Sequence, residues 1–129
     1  MKRQSATFTI YIHNYMQSTI TIDVDLDKDK VPQHISWKAS DSTADSVQQS
    51  KSMMLSFWDG ADKVAMRIDL WTKEMMVDEM ADFYYQTMMG MADAFKRATR
   101  NEELVNDMKN FAGSFYKKFR DQQLAENKL

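Results

Sequence analysis

The chain has 129 residues, 43% hydrophobic and 28% charged, with a formal net charge of -2 and no cysteine. That is enough for one domain with a real core, and its charge balance speaks against general nucleic-acid binding, which needs Lys and Arg to displace counterions from phosphate. Without cysteine there can be no disulfide framework, thiolate metal site, cysteine nucleophile or lipid anchor attached through cysteine, so a reduced, cytoplasmic setting is expected.

Met1, Lys2 and Arg3 resemble the charged start of a signal peptide, but polar residues interrupt every apolar pair that follows, leaving no apolar run of ~7–15 residues. Nor does any stretch approach the ~18–20 apolar residues that would span a bilayer. Over residues 7–13, Phe8, Ile10 and Ile12 alternate with Thr7, Thr9 and Tyr11, as in a half-buried strand. Met16 offers a second start. The cleanest period-2 pattern is Thr19–Leu26, where Ile20, Ile22, Val24 and Leu26 face a core and Asp23 and Asp25 face water.

Pro32, the only proline, marks a turn before the next strand, His34–Ala39, in which Ile35, Trp37 and Ala39 point one way. Ser40–Ser52 is polar apart from Val47 and reads as a surface loop. Met53–Trp58 and Lys63–Trp71 then flank Asp59, Gly60, Ala61 and Asp62, a hairpin signal because Gly accepts the positive φ of a tight turn. Met53, Leu55, Phe57, Met66, Ile68 and Leu70 form the inward set. Met54, Trp58, Arg67, Asp69 and Trp71 face outward.

After Thr72 the period changes to 3.6. Asp78, Glu79 and Asp82 near the start and Lys96, Arg97 and Arg100 near the end match a helix dipole. Met80, Phe83, Tyr84, Thr87, Met88, Met91 and Phe95 make its apolar stripe. Gly90 in mid-helix implies close approach of another element. Thr99 to Glu102 has the form of a capping box, and a second helix follows with Leu104, Met108, Phe111, Ala112, Phe115 and Phe119 on one face. The last residues, DQQLAENKL, read as a fraying tail.

The elements run ββββαα. Strands followed by helices define an α+β fold, here a single antiparallel sheet of about four to five strands with two C-terminal helices packed on one face. Residues 1–17 form an N-terminal extension that could add a strand, 18–125 one domain and 126–129 a tail.

No reaction is spelled out. Asp25, Asp27 and Asp29 mimic the opening of a calcium loop, but Lys30 stands where Gly is required and Ser36 where the bidentate Glu belongs, so a solvated strand face is the better reading and no metal is expected. His13 and His34 have no His or Cys at ligand spacing, no serine sits in a nucleophile elbow, and the three glycines cannot cradle a phosphate. The twelve methionines fall mostly on core-facing phases. Lys117, Lys118 and Arg120 read as a solvated helix face. The remaining feature is the outward set: if nothing covers it, Met54, Trp58 and Trp71 with Arg67 and Asp69 form a candidate surface for a protein partner or for dimerisation. The polar loop or the N-terminal segment folding over it is the other possibility.

The successions MMLSFWD, RIDLWTKEM and VDEM, with helix ADFYYQT to MADAFKRAT and strand ITIDVDLDKDKVPQHISWKA, resemble the GldC family, small proteins of Bacteroidetes and related bacteria associated with gliding motility. The likeness spans roughly Ser18 to Lys118. The family's usual start aligns near Met16, and Met76 stands where relatives often carry Pro, which loosens the predicted helix start. The resemblance implies a non-enzymatic cytoplasmic accessory protein acting by protein–protein contact, with no cofactor. The alternative is a small-ligand-binding domain or an enzyme, with a site between sheet and helices using Tyr84, Tyr85, His34 and the Asp residues.

Overall fold

The computed structural model describes residues 16–127, so the expected strand at 7–13 and His13 lie outside the described residues. The elements are β1 (Ile20–Leu26), β2 (Pro32–Ala39), β3 (Gln48–Ser50), β4 (Ser52–Asp59), β5 (Val64–Trp71), α1 (Val77–Thr99) and α2 (Glu102–Asn127). The chain divides into two units at Thr72 and Lys73, each described by itself.

In the β unit, β1 and β2 pair antiparallel, with Val24 opposite Ile35 and Ile22 opposite Trp37. Ile35 is the best-buried side chain here, 1% exposed. The Asp27 carboxylate shapes the turn between them by accepting the N–H groups of Asp29 (2.8 Å) and Val31 (3.0 Å). This leaves Lys30 at φ 64°, and β2 starts two residues before the expected His34, on Pro32. Pro is acceptable there because a first strand residue need not donate to the ladder.

The single sheet expected from the sequence is instead two antiparallel sheets, β1-β2-β3 and β4-β5. The cause lies in the segment read as a loop. Gln48, Gln49 and Ser50 pair with Trp37, Ser36 and Ile35, a ladder made by backbone groups with no apolar alternation to betray it. Only Lys51 separates β3 from β4, and there the strand changes partner. The Lys51 carbonyl accepts both the N–H of Thr72 (2.8 Å) and its hydroxyl (2.9 Å), which satisfies the one buried polar side chain among the described residues.

β4 and β5 form an eight-residue ribbon in continuous register, from Ser52 opposite Trp71 to Asp59 opposite Val64. The turn differs from the Gly-centred one expected. The Asp59 carboxylate accepts the N–H groups of Ala61 (2.9 Å) and Asp62 (3.2 Å), and its carbonyl accepts the Lys63 N–H at 2.8 Å. The positive φ, 54°, falls on Lys63, and no glycine has one among the described residues. Asp59 supplies the chain reversal that Gly60 was expected to supply.

The helical unit is an antiparallel pair. α1 opens with Asp78 and Glu79 and closes with Lys96 and Arg97, as the dipole favours. Met76 precedes the first turn in an extended conformation, and its N–H donates to the Glu79 carboxylate at 3.2 Å. Arg100 at φ 58° ends α1, and Asn101 caps α2 by accepting the Leu104 N–H at 3.1 Å. The cap expected at Thr99 is absent because Thr99 still belongs to α1, its hydroxyl bonded to the Phe95 carbonyl at 2.8 Å. The fully buried positions are Ala81, Ala92, Val105 and Ala112, while Tyr84, Met91, Leu104 and Phe111 are exposed. In α1 burial is rotated from the expected centre onto Ala81 and Ala92, small residues that let helix backbones approach, and in α2 it falls on Ala112 of the expected stripe and on Val105 beside it. A Cβ at Gly90 would meet nothing within 4 Å, so that glycine marks no close approach. α2 continues to Asn127, through most of the segment read as a tail.

Candidate functional site

On the β4–β5 ribbon, alternation and register together fix which residues share a face. Met54 lies opposite Asp69, Ser56 opposite Arg67, Trp58 opposite Ala65 and Ser52 opposite Trp71. Met54, Trp58, Arg67, Asp69 and Trp71 therefore lie on one face, as the sequence predicts. They do not form one apolar patch. Trp58 and Trp71 stand at opposite ends, with about 20 Å of strand between their ladder positions at ~3.3 Å per residue. Between them the Arg67 guanidinium grips the Asp69 carboxylate through two hydrogen bonds, 2.9 and 3.2 Å. The face reads as a tryptophan at each end, an ion pair in the middle and Met54 half-buried beside Asp69. Trp58 is 69% and Trp71 58% exposed.

The opposite face brings a surprise. Phe57 and Met66, directly opposed and expected to face inward, are each 58% exposed, and Ile68 is 50% exposed. Only toward the ribbon's base, at Met53, Leu55 and Leu70, does the inward set become half-buried. Alternation identified the two faces correctly but cannot tell whether the apolar one is covered. The sole sequence signal was that both phases of the ribbon carry large apolar side chains.

The residues of the alternative reading are placed as follows. His34 on β2 is opposite Asp25, with Nδ1 3.8 Å from the carboxylate, and both side chains are mostly exposed. Tyr84 is exposed on α1, whereas Tyr85 stacks on Tyr116 of α2. No sequence pattern singles out Tyr116. The Asp82 carboxylate disfavours the phenolate and raises its pKa, and the Arg120 guanidinium lies 5.9 Å from its ring centre. Asp78, Asp82, Tyr116 and Arg120 line a cleft of about 280 Å³ at the open end of the helix pair. Elsewhere on this unit Lys109 bonds Asp93 at 2.9 Å and holds that carboxyl below its ordinary pKa, and Lys117 is raised by its bond to Asp121. These are exposed pairs that tie turns and helices together. The described residues hold no grouping of three metal-ligating side chains and no helix long and apolar enough to cross a membrane.

The fold and surface define an α+β protein with an αα-hairpin and a β-ribbon exposed on both faces. Residues 32–121 match the family described as gliding motility-associated protein GldC-like, and the chain belongs to that family. No curated protein and no solved structure matches it.

Proposed function

We propose that this chain is a non-enzymatic, cytoplasmic accessory protein of the gliding-motility apparatus, with residues 18–125 acting as one functional domain that works by protein–protein contact. The observation that carries the reading is the ribbon face with Trp58 and Trp71 exposed at its ends and the Arg67–Asp69 pair between them. Tryptophan and arginine are the residues most often found to dominate binding energy at interfaces, and an ion pair flanked by two aromatic anchors gives a partner both area and register. Family membership supplies the process.

The test is in-cell photocrosslinking from Ser56, between the two tryptophans, in a gliding host, comparing the chain with Trp58→Ala and Trp71→Ala variants. The crosslinked partner should be lost in the double variant, and colony spreading should fall, while the circular dichroism spectrum stays the same. A double variant that spreads normally and keeps its crosslink would sink this surface.

A further inference from the structure

The outer edge of β5 is the feature that family membership does not account for. Among the described residues β5 pairs with β4 alone, and every β5 residue except Leu70 is exposed. An eight-residue edge with no proline, no lysine and no bulge has Arg67 and Asp69 as its only charges to discourage pairing with another strand. Because Thr72 donates to Lys51, the alternation of an antiparallel ladder assigns the even-numbered residues of β5 to hydrogen bonding with β4. The N–H and C=O groups of Ala65, Arg67, Asp69 and Trp71 therefore point away from β4.

We infer that β5 pairs antiparallel with β5 of a second copy of this chain, on a two-fold axis at Ile68, joining the two ribbons into one four-stranded sheet. The occupant is identified by the strand's own sequence, VAMRIDLW, which complements itself when reversed about Ile68. In that register Arg67 lies opposite the second copy's Asp69 and Asp69 opposite its Arg67, so the two ion pairs of the separate chains become a square of alternating charges. Met66 meets Leu70, Ala65 meets Trp71, and Ile68 meets itself. The edge-pointing backbone groups are those of Arg67 facing Asp69 and of Ala65 facing Trp71, as the ladder requires.

Neighbouring registers are worse. An axis at Arg67 or Asp69 sets like charges against each other; an axis at Met66 leaves Arg67 facing Ala65 and offers Asp69 only Lys63 of the turn, and an axis at Leu70 sets Arg67 against Lys73. Pairing at Ile68 also makes the exposed apolar face of Phe57, Met66 and Ile68 continuous with its symmetric copy. The interface is isologous and closes at two chains. It does not depend on the partner proposed above.

Sedimentation velocity of the full chain over a concentration series should show a monomer–dimer equilibrium. Arg67→Asp sets like charges across the axis and should weaken the dimer about tenfold or more, while the exchange Arg67→Asp with Asp69→Arg should restore it. Because the chain has no cysteine, Ile68→Cys introduces a single thiol. Residues facing each other in a pair without ladder hydrogen bonds lie ~4.5 Å apart at Cα, within disulfide range, so mild oxidation should link two chains. Ala65→Cys, displaced from the axis, should not link. A chain that stays monomeric at every concentration overturns the inference, and so does a dimer that ignores both the charge reversal and the thiol at position 68. Neither result bears on partner capture through Trp58 and Trp71, which is read separately by crosslinking.

Discussion

Tyr116 of α2 stacks on Tyr85 of α1 with ring centroids 4.8 Å apart and planes tilted 33°. The Asp82 carboxylate of α1 holds its phenol above the ordinary pKa, so one side chain couples the helix pair through both ring contact and charge.

Replacing Tyr116 by Phe keeps the ring contact and removes the phenol that Asp82 acts on. Asp82 raises the phenol's folded pKa above its ordinary value of 10.0, so the associated stability is fully present below that pH and is lost as pH rises through the raised value. Urea midpoints of the chain should therefore fall more steeply than those of Tyr116→Phe above roughly pH 10 and run parallel below it. Phenolate absorbance should show one late-titrating tyrosine that disappears in the variant. Identical alkaline slopes would refute the coupling.

Gly90 and Gly113 sit inside α1 and α2, and a Cβ at either would meet nothing within 4 Å. Gly90→Ala and Gly113→Ala should each raise stability by ~1 kcal/mol, the difference in helix propensity, measured as a higher urea midpoint at unchanged slope. A loss at position 90 would mean that another element does pack there.

At the ribbon turn the conformational burden lies on Asp59 and Lys63. Asp59→Ala removes the acceptor for two turn N–H groups and should cost ~1 kcal/mol, whereas Gly60→Ala should be neutral or stabilising by up to ~1 kcal/mol because that glycine has no positive φ. Chemical denaturation monitored by tryptophan fluorescence follows the ribbon directly, since Trp58 is next to the turn. The opposite ranking of the two variants would restore the Gly-centred turn.

How much of this is legible in the sequence depends on what each signal measures. Period 2 at Ile20–Leu26 and through the ribbon, and period 3.6 after Thr72, give element type and which residues share a side, but not whether that side is covered: Ile20 and Leu26, expected to face a core, are exposed. β3 escaped because Gln48–Ser50 is held by backbone bonds to β2, which leave no mark on side-chain choice. The helix stripes were centred on large apolar residues, and Ala112 was among them, yet Ala81, Ala92 and Val105, also buried, lay outside them. For the candidate surface, the sequence identified the face of Met54, Trp58, Arg67, Asp69 and Trp71 correctly. Register, which fixes position along the ribbon as alternation alone cannot, sets the two tryptophans at its opposite ends.

The partner change at Lys51 also has a kinetic side. Every cross-strand pair of the β4–β5 ribbon closes a chain loop of about twenty residues or fewer, with its turn wired by Asp59 itself. Such local closure is entropically cheap and fast compared with long-range strand pairing. The ribbon should therefore acquire its register early on the nascent chain, before either helix has been synthesised, and present its aromatic ends to solvent from that moment on.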